Sequence, residues 1–521
     1  MVTKVHNRMI VGTETEQEVT WYVSPTGDDS NDGLSEASPL RTLQRAIDLI
    51  PSKVFHRQTI QLTNGIHNEG SKPTNPIHGA STIRTVRCLV DNKQINGREM
   101  IVIQGDELDN TLVVLEHNDV YSALYVEDTN GVVLQNVTID CSSNPAAAIS
   151  VCQHRRGDAR MNNVRVLSNG VEGTHAFIVE TGGFMEFDGD IRVENCERAF
   201  VALEGVMSFI TDSIYHLGID TGEPRTFEIG SNGQIYVFGG SLETHTVARI
   251  AWNKSGYLLL SPSSHASSDV TSYAIDAALG TVNEIRRLQL VGAERGVNCD
   301  EAVVLMNLCT FTDQTISAVY NHGGKVIIDD CYLTDTTGTK AIVDSEGGSI
   351  TIKGDGDITL GFRGVYAKNT QVEIEEQANI SGNKYDLDLR ESSTRLLGTQ
   401  ENPITLGGGT TAILMISGSL YHKHTTINHT RDKTSMLVKG GKVFNGGGVN
   451  INTGYIGVDL LQNATYTAED TVGSSIINMT GFGIRAQRGA QVYYRGSTMS
   501  FTNTKTPTMA DAGTFARIVA F

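Results

Sequence analysis

From about Tyr121 almost to its end, the chain repeats a loose segment of roughly two dozen residues, a period that admits only stacked-coil architectures. The beat is visible in Ala123-Leu-Tyr-Val-Glu127, Ala176-Phe-Ile-Val-Glu180, Ala199-Phe-Val-Ala-Leu203 and Ala341-Ile-Val-Asp344. Gly364-Val-Tyr-Ala367, Ala412-Ile-Leu-Met415, Gly457-Val-Asp-Leu460 and Gly483-Ile-Arg-Ala486 carry it into the last third. Each segment opens on a small residue, runs through a short apolar or β-branched stretch, meets a polar or Gly turn and starts another. Such a unit cannot bury its apolar side alone and must stack on its neighbours. The pattern predicts an all-β solenoid of parallel strands, with Val, Ile, Leu, Ala and Cys pointing in and Thr, Asn, Lys and Glu pointing out.

Bulk properties narrow the options. At 521 residues the length does not set a domain count, because solenoids grow by adding coils. Gly is abundant at 54 and Pro scarce at 10, a turn-rich β composition. No apolar run approaches the ~20 residues of a membrane helix, so no membrane insertion is expected. The first ten residues lack a basic start followed by an apolar core, which predicts synthesis and folding in a cytoplasm. Seven cysteines, an odd count without metal-ligand spacing, argue against a complete disulfide framework. Cys141, Cys196 and Cys331 follow predicted strands at a comparable point and are expected as buried filler. A net charge of −18 excludes non-specific nucleic-acid binding and requires a local basic patch for any polyanionic substrate.

Ahead of the repeats, Trp21-Tyr-Val-Ser-Pro25 reads as a strand and Gly27-Asp-Asp-Ser-Asn-Asp-Gly33 as a run of turn formers. Ser38 is predicted to cap a helix, with Pro39 at its first position and Pro51 ending it. Leu40, Leu43, Ala46, Ile47 and Ile50 fall on one face of that helix. Laid across the first coil, it would hide an open apolar cross-section and unpaired strand edges. Thr59-Ile-Gln-Leu62 and Ile101-Val-Ile-Gln104 are further strands.

This order of parts carries a resemblance. Gly27 to Gly33, with Pro39, Thr42-Leu43 and Ala46-Ile47-Asp48 behind it, resembles the lead-in of right-handed parallel β-helix proteins. That family includes pectate-lyase-like enzymes and, more closely, tailspikes and tail fibres of tailed bacteriophages. Lys4-Val-His-Asn-Arg-Met-Ile10 is similar to the short virion-attachment segments that begin many phage tail proteins. The resemblance implies an attachment segment at 1–20 that docks on phage tail, portal or baseplate proteins. A lead-in and N-terminal cap at 21–120 and a β-helix body at 121–500 would follow, with a C-terminal strand or cap at 501–521. It also implies a homotrimer located in the virion tail. At ~4.8 Å per coil, about 15 coils would span a length of order 70 Å. No heptad run enforces a trimer, so subunits would meet through the flanks or ends. The apolar strand Phe515-Ala-Arg-Ile-Val-Ala-Phe521 is expected to pack on its own shaft or a neighbour.

Aligning the repeats by their opening Ala puts Glu127 and Asp128, then His154, then Glu180, then Glu204 at nearly equivalent turns. Equivalent turns stack ~4.8 Å apart, so carboxylates there fall within the ~5–10 Å that glycoside hydrolysis requires. Glu180, Glu204, Glu127 and Asp128 are the predicted catalytic candidates. His154, Arg155 and Arg156 would hold an acidic sugar, and Trp252 would offer it a stacking face. Polar turns that simply face water explain the same residues, since Glu–Arg pairs at a surface contribute little. Glu186, Asp188 and Asp190 alternate and are predicted to share one face of a strand. The Asp28-Asp-Ser-Asn-Asp32 loop lacks EF-hand spacing, and His422, His424 and His429 read as outward strand residues, so no cofactor or metal is expected. Gly407–Gly409 and Gly446–Gly448 read as tight corners rather than phosphate loops.

Three functions fit this pattern. The first is a phage tailspike or fibre that binds host surface polysaccharide, and the second adds hydrolase or lyase cleavage of it. The third is a structural virion or surface protein with no glycan role. A secreted polysaccharide lyase or hydrolase fits less well.

Overall fold

The computed structural model describes residues 14–51, 53–68, 82–84, 100–117, 122–127, 129–143, 149–154, 157–429, 432–468, 474–494, 499–510 and 517–520. Residues 1–13 of the expected attachment segment lie outside that set, as do Asp128, Arg155 and Arg156. The chain divides into two compact units, Met1–Thr271 and Ser272–Phe521. Each is by itself a parallel β-solenoid.

In the first unit, Asp190–Glu194, Ser213–Leu217, Ser241–Val247 and Ser264–Val270 pair in parallel, one coil after another. In the second, Arg295–Asp300, Ser317–His322, Ala341–Glu346 and Arg363–Lys368 do the same. Strand alternation sorts side chains as the composition demands. In Lys325–Asp329, Val326 and Ile328 are buried while Lys325 faces water. The small residue that opens each repeat has a steric cause: a Cβ on Gly457 would meet the Gly483 carbonyl oxygen at 2.6 Å. Gly457 and Gly483 occupy the same place in consecutive coils, immediately before Val458 and its partner Ile484.

Vertical alignment turns apolar positions into interior columns. Phe177, Phe200 and Phe227 share one register, with ring centroids 5.5 and 5.6 Å apart. Phe187 and Phe209 form a second column, stacked at 4.3 Å, and meet the first edge to face. All five are fully buried. Burying a ring of this size contributes about 1.5–3 kcal/mol before packing is counted. Cys141, Cys196 and Cys331 are buried, as expected of filler, and so are Cys299 and Cys309.

The helix spans Leu43–Leu49 and buries Leu43, Ala46 and Ile47, but Thr42 caps it, not Ser38. Leu40 is diverted into strand pairing: its N–H donates to Tyr22 O and its carbonyl accepts from Ser24 N–H, both at 2.8 Å. That interaction holds the chain extended until Thr42. Asp29 then accepts from the Arg41 and Thr42 amides at 3.0 and 2.9 Å, and from the Thr42 hydroxyl at 3.0 Å. The Asp-rich loop thus serves as the helix's anchor. Residues just after the described start are also knitted in. Thr15 N–H donates to Lys53 O, and its hydroxyl accepts from the Phe55 and His56 amides.

Two further expectations change. Glu186 and Asp188 share a face of Gly183–Asp188, but Gly189, at φ +63°, turns the chain so that Asp190 opens the next strand. His422 points inward and is fully buried. At the other end, Arg517–Ala520 pairs in parallel with Gln491–Tyr494 of its own unit.

Candidate functional site

Register settles where the predicted residues stand in the first unit. Glu127 pairs with His154, and His154 is level with Glu180, because Val179 pairs with Gln153. Glu180 then pairs with Leu203, not Glu204. Glu204 comes one residue later, exposed, at a corner with φ 56°. Glu127, His154 and Glu180 therefore share a backbone column, and Glu204 stands beside it. Trp252 lies on Arg249–Asn253, half-buried. Its ring is already in contact with cations: Lys254 Nζ is 3.8 Å from the centroid, Arg225 Cζ 4.2 Å and Arg249 Cζ 5.1 Å.

Those cations belong to a network that sequence reasoning did not single out. His175, Arg198, Arg225 and Arg249 are stacked in one column. Glu228 meets Arg225 Nη1 at 3.3 Å and Arg198 Nε at 3.4 Å, and its other oxygen accepts from Lys254. Glu223 accepts from Arg249 at 2.6 Å. Glu197, Arg225 and Glu228 are nearly inaccessible. Burial alone would raise the Glu228 carboxyl, but Lys254, Arg225 and Arg198 together bring it below the usual range. Burial lowers Arg225 against the pull of Glu228. His175 is brought down to about 4, first by burial and then by Arg198. A network so fully paired is built to hold strands together. Removing a member would strand a buried charge.

The second unit presents a different surface. Strand register stacks Asp276, Asn298, Tyr320, Asp344, Tyr366 and Asp388 in one outward column. Two residues further along the same strands runs a parallel row, Asp300, His322, Glu346, Lys368 and Arg390. Asp388 is buried and neutralised, with Arg363 Nε at 2.7 Å and Arg390 Nε at 3.2 Å. Asp344 differs. It is half-buried on Ala341–Glu346, and among the described residues none hydrogen-bonds it or pairs with it as an ion. Burial pushes its carboxyl up, the Glu346 charge adds to the rise, and Arg295 and Arg363 oppose it. Glu346, two residues on and on the same face, is exposed, with Lys368 Nζ at 3.8 Å. Arg295 packs over the Tyr320 ring at 4.0 Å and Arg363 over Tyr366 at 4.8 Å. These contacts hold both rings beside the free carboxyl.

The chemistry of that arrangement is acid–base. Asp344 and Glu346, two residues apart on one strand, stand ~6.6 Å apart at Cα. In an inverting glycosidase the two carboxyl groups themselves stand ~6.5–9.5 Å apart, leaving room for a water. The signal was present in the sequence, since Asp344 and Tyr366 occupy nearly equivalent places in the repeats that open at Ala341 and Gly364. Among the described residues, no group of three or more His, Cys, Asp or Glu is placed to hold a metal ion.

No family model matches the chain, and no curated protein matches it. Among solved structures it is similar to crystal structures of GH136 lacto-N-biosidase from Eubacterium ramulus. The selenomethionine derivative is 10% identical with a TM-score of 0.19, and the native protein is 8% identical with a TM-score of 0.20. Each match covers 96% of this chain and 68% of that one.

Proposed function

We propose that the chain is a bacteriophage tailspike or tail fibre that binds host surface polysaccharide on the outward face around Asp344. In this reading it is made in the host cytoplasm, joins the virion tail through its first residues and works as a homotrimer. The observation that carries the glycan part is the unpaired, half-buried Asp344 carboxyl between Tyr320 and Tyr366, with Glu346 beside it. Arginine-braced tyrosines and carboxylates in a row suit a chain of hydroxyl-rich rings, with apolar ring faces against the tyrosines and hydroxyls toward the acids.

The same pair supplies the groups that hydrolysis needs. Asp344 gives its proton to the glycosidic oxygen as the bond to the sugar's anomeric carbon breaks. Glu346 takes a proton from the water whose oxygen bonds to that carbon. The test is incubation of purified protein with capsular or O-chain polysaccharide from candidate hosts, following both retention and new reducing ends. Retention with release supports a depolymerase, and retention alone supports an adhesin. A protein that neither holds nor cuts any of them refutes the glycan reading. For attachment, a chain lacking residues 1–13 leaves the Thr15 contacts in place and should fail to enter particles. Its incorporation would sink that part.

A further inference from the structure

Beyond the carboxylate row, a cleft opens on another face of the second unit, lined by Ser393, Thr394, Arg395, Ser419, Tyr421 and Phe444. Its residues come from successive coils: Arg395 pairs with Tyr421, and Tyr421 with Phe444. We infer that this cleft is a second, separate saccharide subsite, with Tyr421 and Phe444 as the platform under one or two sugar rings.

Four features set the cleft apart from an ordinary solvated face. Phe444 is 43% exposed, an aromatic ring left facing water on a strand whose neighbours Val443 and Asn445 are buried. Phe444 and Tyr421 are level in adjacent coils, which makes a strip of two aromatic positions ~4.8 Å apart along the backbone. The strip is flanked by polar groups suited to hydroxyls. Ser419 donates to Ser393 at 3.3 Å, leaving the Ser419 oxygen free to accept, and Arg395 holds Glu373 only at 3.7 Å, with its guanidinium well exposed. The floor is also shaped for the ring. A Cβ on Gly446 would lie 2.3 Å from the Tyr421 hydroxyl and 2.7 Å from its Cζ. Gly446 is therefore the residue that lets Tyr421 lie down along the next coil.

An apolar ring face with hydroxyl and guanidinium groups at its edge matches a pyranose, whose C–H faces are apolar and whose rim is polar. A flat protein partner would need a far wider apolar area than this cleft offers. The inference takes its ligand class from the glycan reading, but it does not depend on the Asp344 row.

The test uses the full chain on an array of bacterial capsular and O-chain polysaccharides, comparing wild type with Y421A, F444A, G446A, D344N and R286A. Binding of at least one glycan should weaken tenfold or more in Y421A and F444A, with unchanged melting temperature. G446A should weaken it as well, by lifting the Tyr421 ring, and R286A, on an exposed ion pair that neither site uses, should leave this binding intact. Equal binding by Y421A, F444A and wild type overturns the subsite, even if D344N abolishes cleavage. Loss in D344N but not in Y421A assigns all glycan contact to the carboxylate row. If wild type binds no glycan on the array, both readings fall together.

Discussion

Arg363 places its Nε 2.7 Å from Asp388 Oδ2, one coil away, whereas Asp344, two coils from Asp388 in the same column, has no such partner. The ion pair fixes Asp388, whereas burial pushes the unpaired Asp344 carboxyl up. Two carboxyls on one face thus have separate roles, set by which one an arginine reaches.

D344N should lower polysaccharide release by about 10²- to 10⁴-fold, the usual contribution of a general acid. Its melting temperature should stay near wild type, because the side chain makes no hydrogen bond. The paired variant E180Q/E204Q should retain activity; a collapse there, with D344N active, would return the site to the Glu127–His154–Glu180 column. Reducing-end assays on both proteins distinguish the two.

Glu228 should prove structural. E228A leaves Arg225 buried without its nearest carboxylate and should cost about 3–5 kcal/mol. R286A, which breaks the exposed Glu284 pair at 3.3 Å, should cost less than about 1 kcal/mol. Chemical denaturation of the two variants gives the contrast directly.

Acid should loosen both units. His216 and His422 are fully buried, and burial lowers each to about 4. Each favours the unprotonated form on folding, so its contribution is complete above the unfolded value near 6.5. It is lost as pH falls through 4. At full extent that is about 3 kcal/mol per histidine. Melting temperature followed from pH 7 to 4 should fall, and H216Q/H422Q should flatten the slope.

F200A should be the costliest single truncation in the first unit, at about 3–5 kcal/mol. Phe200 touches Phe177, Phe187, Phe209 and Phe227 at once. A loss no greater than that of an exposed site such as F238A would contradict the stacked interior.

The repeat was legible because burial enforces it: most inward positions are apolar and the opening positions are small. The strands Ile101–Gln104 and Lys325–Asp329 were readable for that reason. Columns are harder to read, because an alignment that is off by a single residue changes the column. Glu180 is level with Leu203, so Glu204 stands level with the corner residue Thr181, one place beyond the column it was expected to share. The Asp344 row escaped notice because Asp, Asn and Tyr alternate down it, and no single repeat shows the pattern. The helix start was misplaced because Leu40's strand pairing, a tertiary contact, outweighs the local capping signal of Ser38.

The stacked phenylalanines have an evolutionary corollary. Inserting one residue between Phe200 and Phe209 would swing a whole strand inside out and break the ring column on both sides. Length can therefore change without harm only in the loops or by gaining or losing an entire storey. Natural variants of this chain should differ in body length by multiples of a full turn, with their surface residues free to diverge.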